Sequence, residues 1–178
     1  MVVSNHKEDV QKLKKILQFI GEKLEPPWET CSMSFKFDTP IYNYEMAIKD
    51  IDKAELLTTP FLDILDYCVG YLYTYVLSFC ACGQAYRMLD YLTDIFECME
   101  CVFEDSECPM FSHDKYLEKF PDIYDKWLYY EFTLKWMESI GWTDHGTSVY
   151  SSWLTDEGKT WRTLLMLRRK YEELEEDA

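Results

Sequence analysis

Between Asp66 and Arg87 the chain runs from Tyr67 to Tyr86 without a charged residue, and a stretch of that kind is buried either in protein or in lipid. It contains Tyr67, Tyr71, Tyr73, Tyr75, Ser78, Gly83 and Gln84, with Asp63 and Asp66 immediately before it. A spanning helix wants about 20 predominantly apolar residues, so this polarity points to the central buried helix of a folded domain. Thr59 followed by Pro60 supplies an N-cap and a proline at the first helical position, which predicts the helix over Pro60 to Cys82.

Helical spacing recurs around that centre. Leu13, Ile16, Leu17, Ile20 and Leu24 form one stripe that Pro26 and Pro27 stop. Thr39 and Pro40 repeat the cap-and-proline signal and predict a helix to Leu57. Met88, Leu89, Leu92, Ile95, Phe96, Met99, Val102 and Phe103 share one face of a further helix, and Asp90, Asp94, Glu97, Glu100 and Glu104 share the other. Ile123, Trp127, Leu128, Leu134, Met137 and Ile140 give another, ended by Gly141 as a C-terminal cap. The last helix starts near Thr155 and runs on Trp161, Leu164, Leu165 and Tyr171 into an acidic tail, residues 172–178, which opposes the helix dipole and is expected to fray. Cys31, Met33, Phe35 and Phe37 alternate with polar residues as a short strand would. The expected fold is mainly α: one domain over residues 1–178, a bundle of about six or seven helices, with a short strand or β-hairpin near residues 141–155.

Charge limits the partners. From Ala54 to Asp114 the only basic residue is Arg87, set against eleven acids, and the whole chain carries a formal −15. Such density repels phosphate backbones and anionic lipid and speeds encounter with basic surfaces, so no nucleic acid and no membrane are expected as partners. Six Trp, fourteen Tyr and ten Phe exceed what a core of this size normally needs, and some of these rings are expected at a contact surface. The N-terminal residues His6, Lys7, Glu8 and Asp9 lead into an amphipathic pattern rather than an apolar run, so no signal peptide is expected. Seven cysteines, an odd number, suit a reducing cytosol.

Chemistry-bearing sets are few. Cys98, Cys101, Cys108 and His113 supply four soft donors for a tetrahedral zinc site, but a C-x-x-C inside a helical pattern is expected to be buried thiol instead. Asp144, His145 and Ser148 hold the residue types of a nucleophilic triad in a spacing too short for triad geometry. The six glycines form no phosphate-cradling loop. Neither enzyme activity, metal nor cofactor is therefore expected.

The run from Gly141 to Lys159 is the most distinctive local text: a helix stop, a turn at Asp144 to Gly146, a strand with Val149, Tyr150 and Trp153, then Leu154-Thr155-Asp156-Glu157-Gly158 opening a helix. That strand-to-helix junction resembles the one in winged-helix regulators, although only Arg168, Arg169 and Lys170 offer a basic cluster, beside the acidic tail. Gly141-Trp142 through Gly158, in a small, acidic, aromatic-rich, cysteine-containing chain, also resembles stretches of the immunity proteins of bacterial polymorphic-toxin and contact-dependent growth inhibition systems. The resemblance leaves the first 140 residues unmatched. It implies a cytoplasmic inhibitor without turnover that binds a cognate basic toxin, often a nuclease, one to one. On that reading Asp90, Asp94, Glu97, Glu100 and Glu104 steer the partner, and Tyr129, Tyr130, Trp142 and Tyr150 anchor it. Two alternatives remain: a winged-helix nucleic-acid-binding regulator, and a helical host-interaction effector.

Overall fold

The N-terminal apolar stripe forms α1 (Val3–Glu22), and Val10, Leu13, Ile16, Leu17 and Ile20 along it are buried. The computed structural model describes residues 3–23, 43–79, 92–101, 109–119, 126–145 and 152–176. The strand expected over Cys31 to Asp38 lies outside them. Among the described residues the chain is predominantly helical, and it divides into two compact units: residues 1–85 with 163–178, and residues 86–162.

In the first unit, α2 (Tyr44–Asp50) starts later than Pro40, because Asn43 has extended backbone and its side chain accepts the Met46 N–H at 3.0 Å. A 3-10 turn, Lys53–Glu55, follows, and then α3 (Thr58–Phe79). α1 packs on α2 and on the turn, and all three pack on α3. On α3 the buried positions are Phe61, Ile64, Leu65, Cys68, Tyr71, Leu72 and Val76, which is helical spacing, while Asp63, Asp66 and Gly70 are exposed. No helix among the described residues is long and apolar enough to cross a membrane.

The start of α3 differs from expectation in an instructive way. Thr58 is its first helical residue, so the N-cap position falls to Leu57, and Pro60 sits at the third helical position. Proline is tolerated there because the first four helical N–H groups have no partner within the helix.

The second unit is built on a four-stranded sheet in the order β1-β2-β4-β3, all neighbours antiparallel: β1 (Met99–Cys101), β2 (Pro109–Phe111), β3 (Thr143–Asp144) and β4 (Trp153–Leu154). The β3–β4 pairing is the element expected near residues 141–155. Of the helix expected over 88–103, the described residues 92–97 are helical (α4), and the chain becomes strand at Met99. Met99 and Cys101 fit a period of two as well as a helical stripe, and tertiary partners decide between them. Arg162 donates from Nε to the Phe96 carbonyl at 2.9 Å and from Nη2 to the Met99 carbonyl at 3.2 Å, while the Ser112 N–H donates to the Cys98 carbonyl at 2.8 Å. These bonds satisfy the Phe96 carbonyl in the last turn of α4 and the Cys98 and Met99 carbonyls just after it, which a continued helix would otherwise have to satisfy.

After α5 (His113–Lys119), α6 (Lys126–Ser139) ends as expected at Gly141. Gly141 has φ +79°, its N–H donates to the Glu138 carbonyl at 3.0 Å, and the Trp142 N–H donates to the Met137 carbonyl at 2.8 Å, the two bonds of a Schellman cap. Finally α7 (Asp156–Glu176) contributes residues 156–162 to the second unit and 163–176 to the first. It stays helical through Glu176, beyond the point where fraying was expected, and Arg168 pairs with Glu172 one turn on at 2.7 Å.

Cys68 and Cys98 are fully buried free thiols, and burial raises the Cys68 pKa well above the usual thiol range. Both are expected to resist a thiol-alkylating reagent at neutral pH in the folded protein and to react once it is unfolded. Peptide mapping by mass spectrometry reads this directly, and alkylation of either under native conditions would show that the structure around it opens locally.

Candidate functional site

The residues expected to steer a partner do not share one helical face. Asp94 and Glu97 lie on α4 and are half-buried, whereas Glu100 belongs to β1. Asp90 and Glu104 lie outside the described residues, as does Tyr150; Tyr129 and Tyr130 fall on α6.

Trp142, expected as an exposed anchor, is instead the centre of the second unit's core. It has no solvent exposure, and its ring centroid lies 5.5 Å from Trp136, 6.0 Å from Trp161 and 6.3 Å from Phe96. Its Nε1–H donates to Glu157 Oε1 at 3.2 Å, and Trp161 donates to the same oxygen at 3.3 Å. One carboxylate oxygen thus satisfies both buried indole N–H groups.

The Leu154-to-Gly158 text also has a local role. The Thr155 hydroxyl donates to the Gly141 carbonyl at 2.7 Å and accepts the Gly158 N–H at 3.2 Å, while its backbone N–H donates to the Trp142 carbonyl at 3.1 Å. Thr155 is therefore an N-cap that also ties α7 to the turn after α6. A Cβ at Gly158 would lie 2.0 Å from the Trp142 carbonyl oxygen, so only glycine permits this approach.

Asp144 and His145 are adjacent without forming a triad. The Asp144 carboxylate accepts the backbone N–H of His145 at 2.8 Å, and the imidazole Nε2 faces Glu138 at 2.8 Å. Ser148 lies outside the described residues. Cys98 and Cys101 span a turn-to-strand junction rather than a helix, Cys108 lies outside the described residues, and His113 begins α5. Among the described residues no three His, Cys, Asp or Glu side chains are grouped closely enough to hold a metal ion.

A polar cluster that the sequence did not suggest lies within the first unit. Asp9 is 2% exposed, and its carboxylate is bonded by Lys170 and accepts the Tyr171 hydroxyl at 3.3 Å. His6, one turn earlier on α1, places Nδ1 3.1 Å from that hydroxyl and donates from Nε2 to the Ala54 carbonyl at 2.7 Å. Burial, reinforced by the Asp9 charge, pushes the Tyr171 pKa up to about 12. The Phe61 ring closes the cluster, 5.2 Å from His6 and 4.6 Å from Tyr171. With each of these polar groups already bonded inside the fold, the arrangement latches α1 to the C-terminal half of α7 and to the 3-10 turn.

The exposed apolar side chains are the feature with surface chemistry. Leu56 is 86% exposed and Leu57 57% exposed, at the junction between the 3-10 turn and α3, and Phe132 on α6 is also exposed. Composition alone could not flag the two leucines, because the helix expected to run to Leu57 counts them as its end. Comparison with protein-family models, with curated proteins and with solved structures finds no match for this chain.

Proposed function

We propose that this protein is a cytoplasmic inhibitory binding protein that neutralises a basic protein, in the manner of an immunity protein that blocks a cationic toxin. The observation that carries the reading is the charge: a formal −15 on 178 residues. A nuclease must present a cationic cleft to phosphate, and a carboxylate-dense ligand steers into that cleft and competes with the substrate. The short resemblance over Gly141 to Gly158 supports the same class, although Trp142, Thr155 and Gly158 within it serve the fold.

The winged-helix alternative draws less support. Of its basic cluster, Arg168 is paired with Glu172 and Lys170 with the buried Asp9, which leaves little cationic surface for phosphate.

The test is retention of partners on immobilised protein from its native lysate, washed at roughly 0.1 M and then 0.5 M salt to change the screening of surface charge. One basic protein held in equal amount at the lower salt, whose toxic activity is abolished by added inhibitor, is the expected result. Nucleic acid retained without a protein would overturn the proposal in favour of the regulator.

A further inference from the structure

We propose that Leu56 and Leu57, with the acids around them, form the docking surface for a cationic amphipathic segment of another protein, an inference that rests on the reading of the chain as a binder of basic proteins. Two local rules are broken at this one place. A residue just before an N-cap commonly packs its apolar side chain on the fourth helical residue, yet Leu56 stands 86% exposed while Phe61 is buried against His6 and Tyr171. Leucine is also among the poorest N-cap residues, and Leu57 occupies that position on α3 although threonines follow it directly. The backbone here is well held, since the N–H groups of Leu56 and Leu57 both donate to the Lys53 carbonyl at 3.0 Å. A rigid turn thus presents two leucines to solvent at a cost to local stability, and departures of this kind concentrate where a surface serves binding.

Charge chooses the occupant. Residues 50–66 carry five acids against Lys53, which itself pairs with Asp50. Glu55 and Asp52 both reach Lys14 of α1, at 2.9 Å and 3.3 Å, and Asp63 stands exposed on the first turns of α3. An apolar pair ringed by net negative charge matches leucine-like side chains flanked by Lys or Arg. A second copy of this chain would set acids against acids, and phosphate groups of nucleic acid or anionic lipid would be repelled.

The full-length isotope-labelled protein is titrated with a synthetic amphipathic helical peptide of leucine and lysine, and with a leucine and glutamate peptide of equal length. The expected result is saturable binding of the lysine peptide with the largest amide shifts at residues 50–66, and no binding of the glutamate peptide. The Leu56→Ser/Leu57→Ser variant should bind about tenfold more weakly, as loss of a central apolar anchor does. Leu57→Ser alone should weaken binding while its Tm stays level or rises, because serine caps a helix better than leucine. That opposition separates docking from folding.

Amide shifts centred elsewhere, unchanged affinity in the double variant, or equal binding of both peptides would overturn the inference. So would concentration-dependent shifts at Leu56 and Leu57 without peptide, which would make the occupant a second copy. On the immobilised-protein test, a double variant that still retains the same basic protein would overturn the surface alone. No basic protein retained by either form would overturn the function instead.

Discussion

Replacing Trp142 by alanine is expected to cost about 3–5 kcal/mol of stability, the range for emptying a fully buried indole site. The side chain has no solvent exposure and touches three aromatic rings drawn from α4, α6 and α7, so no single neighbour can collapse into the space it leaves. Glu157 would also lose one of the two indole N–H donors that share its oxygen. Against the 5–15 kcal/mol that folds a typical domain, a loss of this size is a large share. Urea unfolding followed by far-UV circular dichroism measures it. Trp142→Phe keeps much of the ring volume but removes the N–H, and should recover more than half of the loss. A cost below about 1 kcal/mol for the alanine variant, the scale of an exposed substitution, would instead return Trp142 to the surface as a partner anchor.

The second large effect turns on a sign. Glycine to alanine inside a helix normally gains about 1 kcal/mol, because alanine is the better helix former. At Gly158 the added Cβ would meet the Trp142 carbonyl oxygen at 2.0 Å and Leu154 Cδ2 at 3.0 Å. The oxygen cannot retreat without breaking its bond from the Thr155 N–H, and moving α7 away would release the Thr155 cap. Overpacking of a close backbone approach costs about 3 kcal/mol at the upper end of its usual range, which outweighs the propensity gain. Gly158→Ala is therefore expected to lower Tm by several degrees, on the order of 2–4 °C per kcal/mol for a chain of this size. A rise in Tm would show that α7 does not start against the turn after α6.

Much of the fold was legible because burial imposes a period. The α1 and α7 stripes match the buried positions closely, and Gly141 marks a helix end in both sequence and structure. Errors arose where a short text satisfies two periods or two caps. Met99 and Cys101 suit a strand as well as a helix, and the choice rests on Arg162, some sixty residues away, bonding the Phe96 carbonyl of α4 and the Met99 carbonyl of β1. Thr59 suits an N-cap, yet the Lys53 carbonyl holds the chain so that the helix opens two residues earlier and Leu57 takes the position.

The candidate site was less legible than the fold. The chain's net charge is legible from the sequence alone, because charge is a sum over residues and needs no coordinates. Which side chains face solvent is a property of packing. Trp142 and Leu56 are both large and apolar, and only the tertiary contacts place the first at the centre of a core and the second in water. Likewise Asp9 sits among surface-like charges in the sequence, and its burial depends on Lys170 and Tyr171, which no local pattern could bring to it. Periodicity and composition therefore determined the class of fold and the sign of the charge, whereas long-range packing decided which residues remain exposed to solvent.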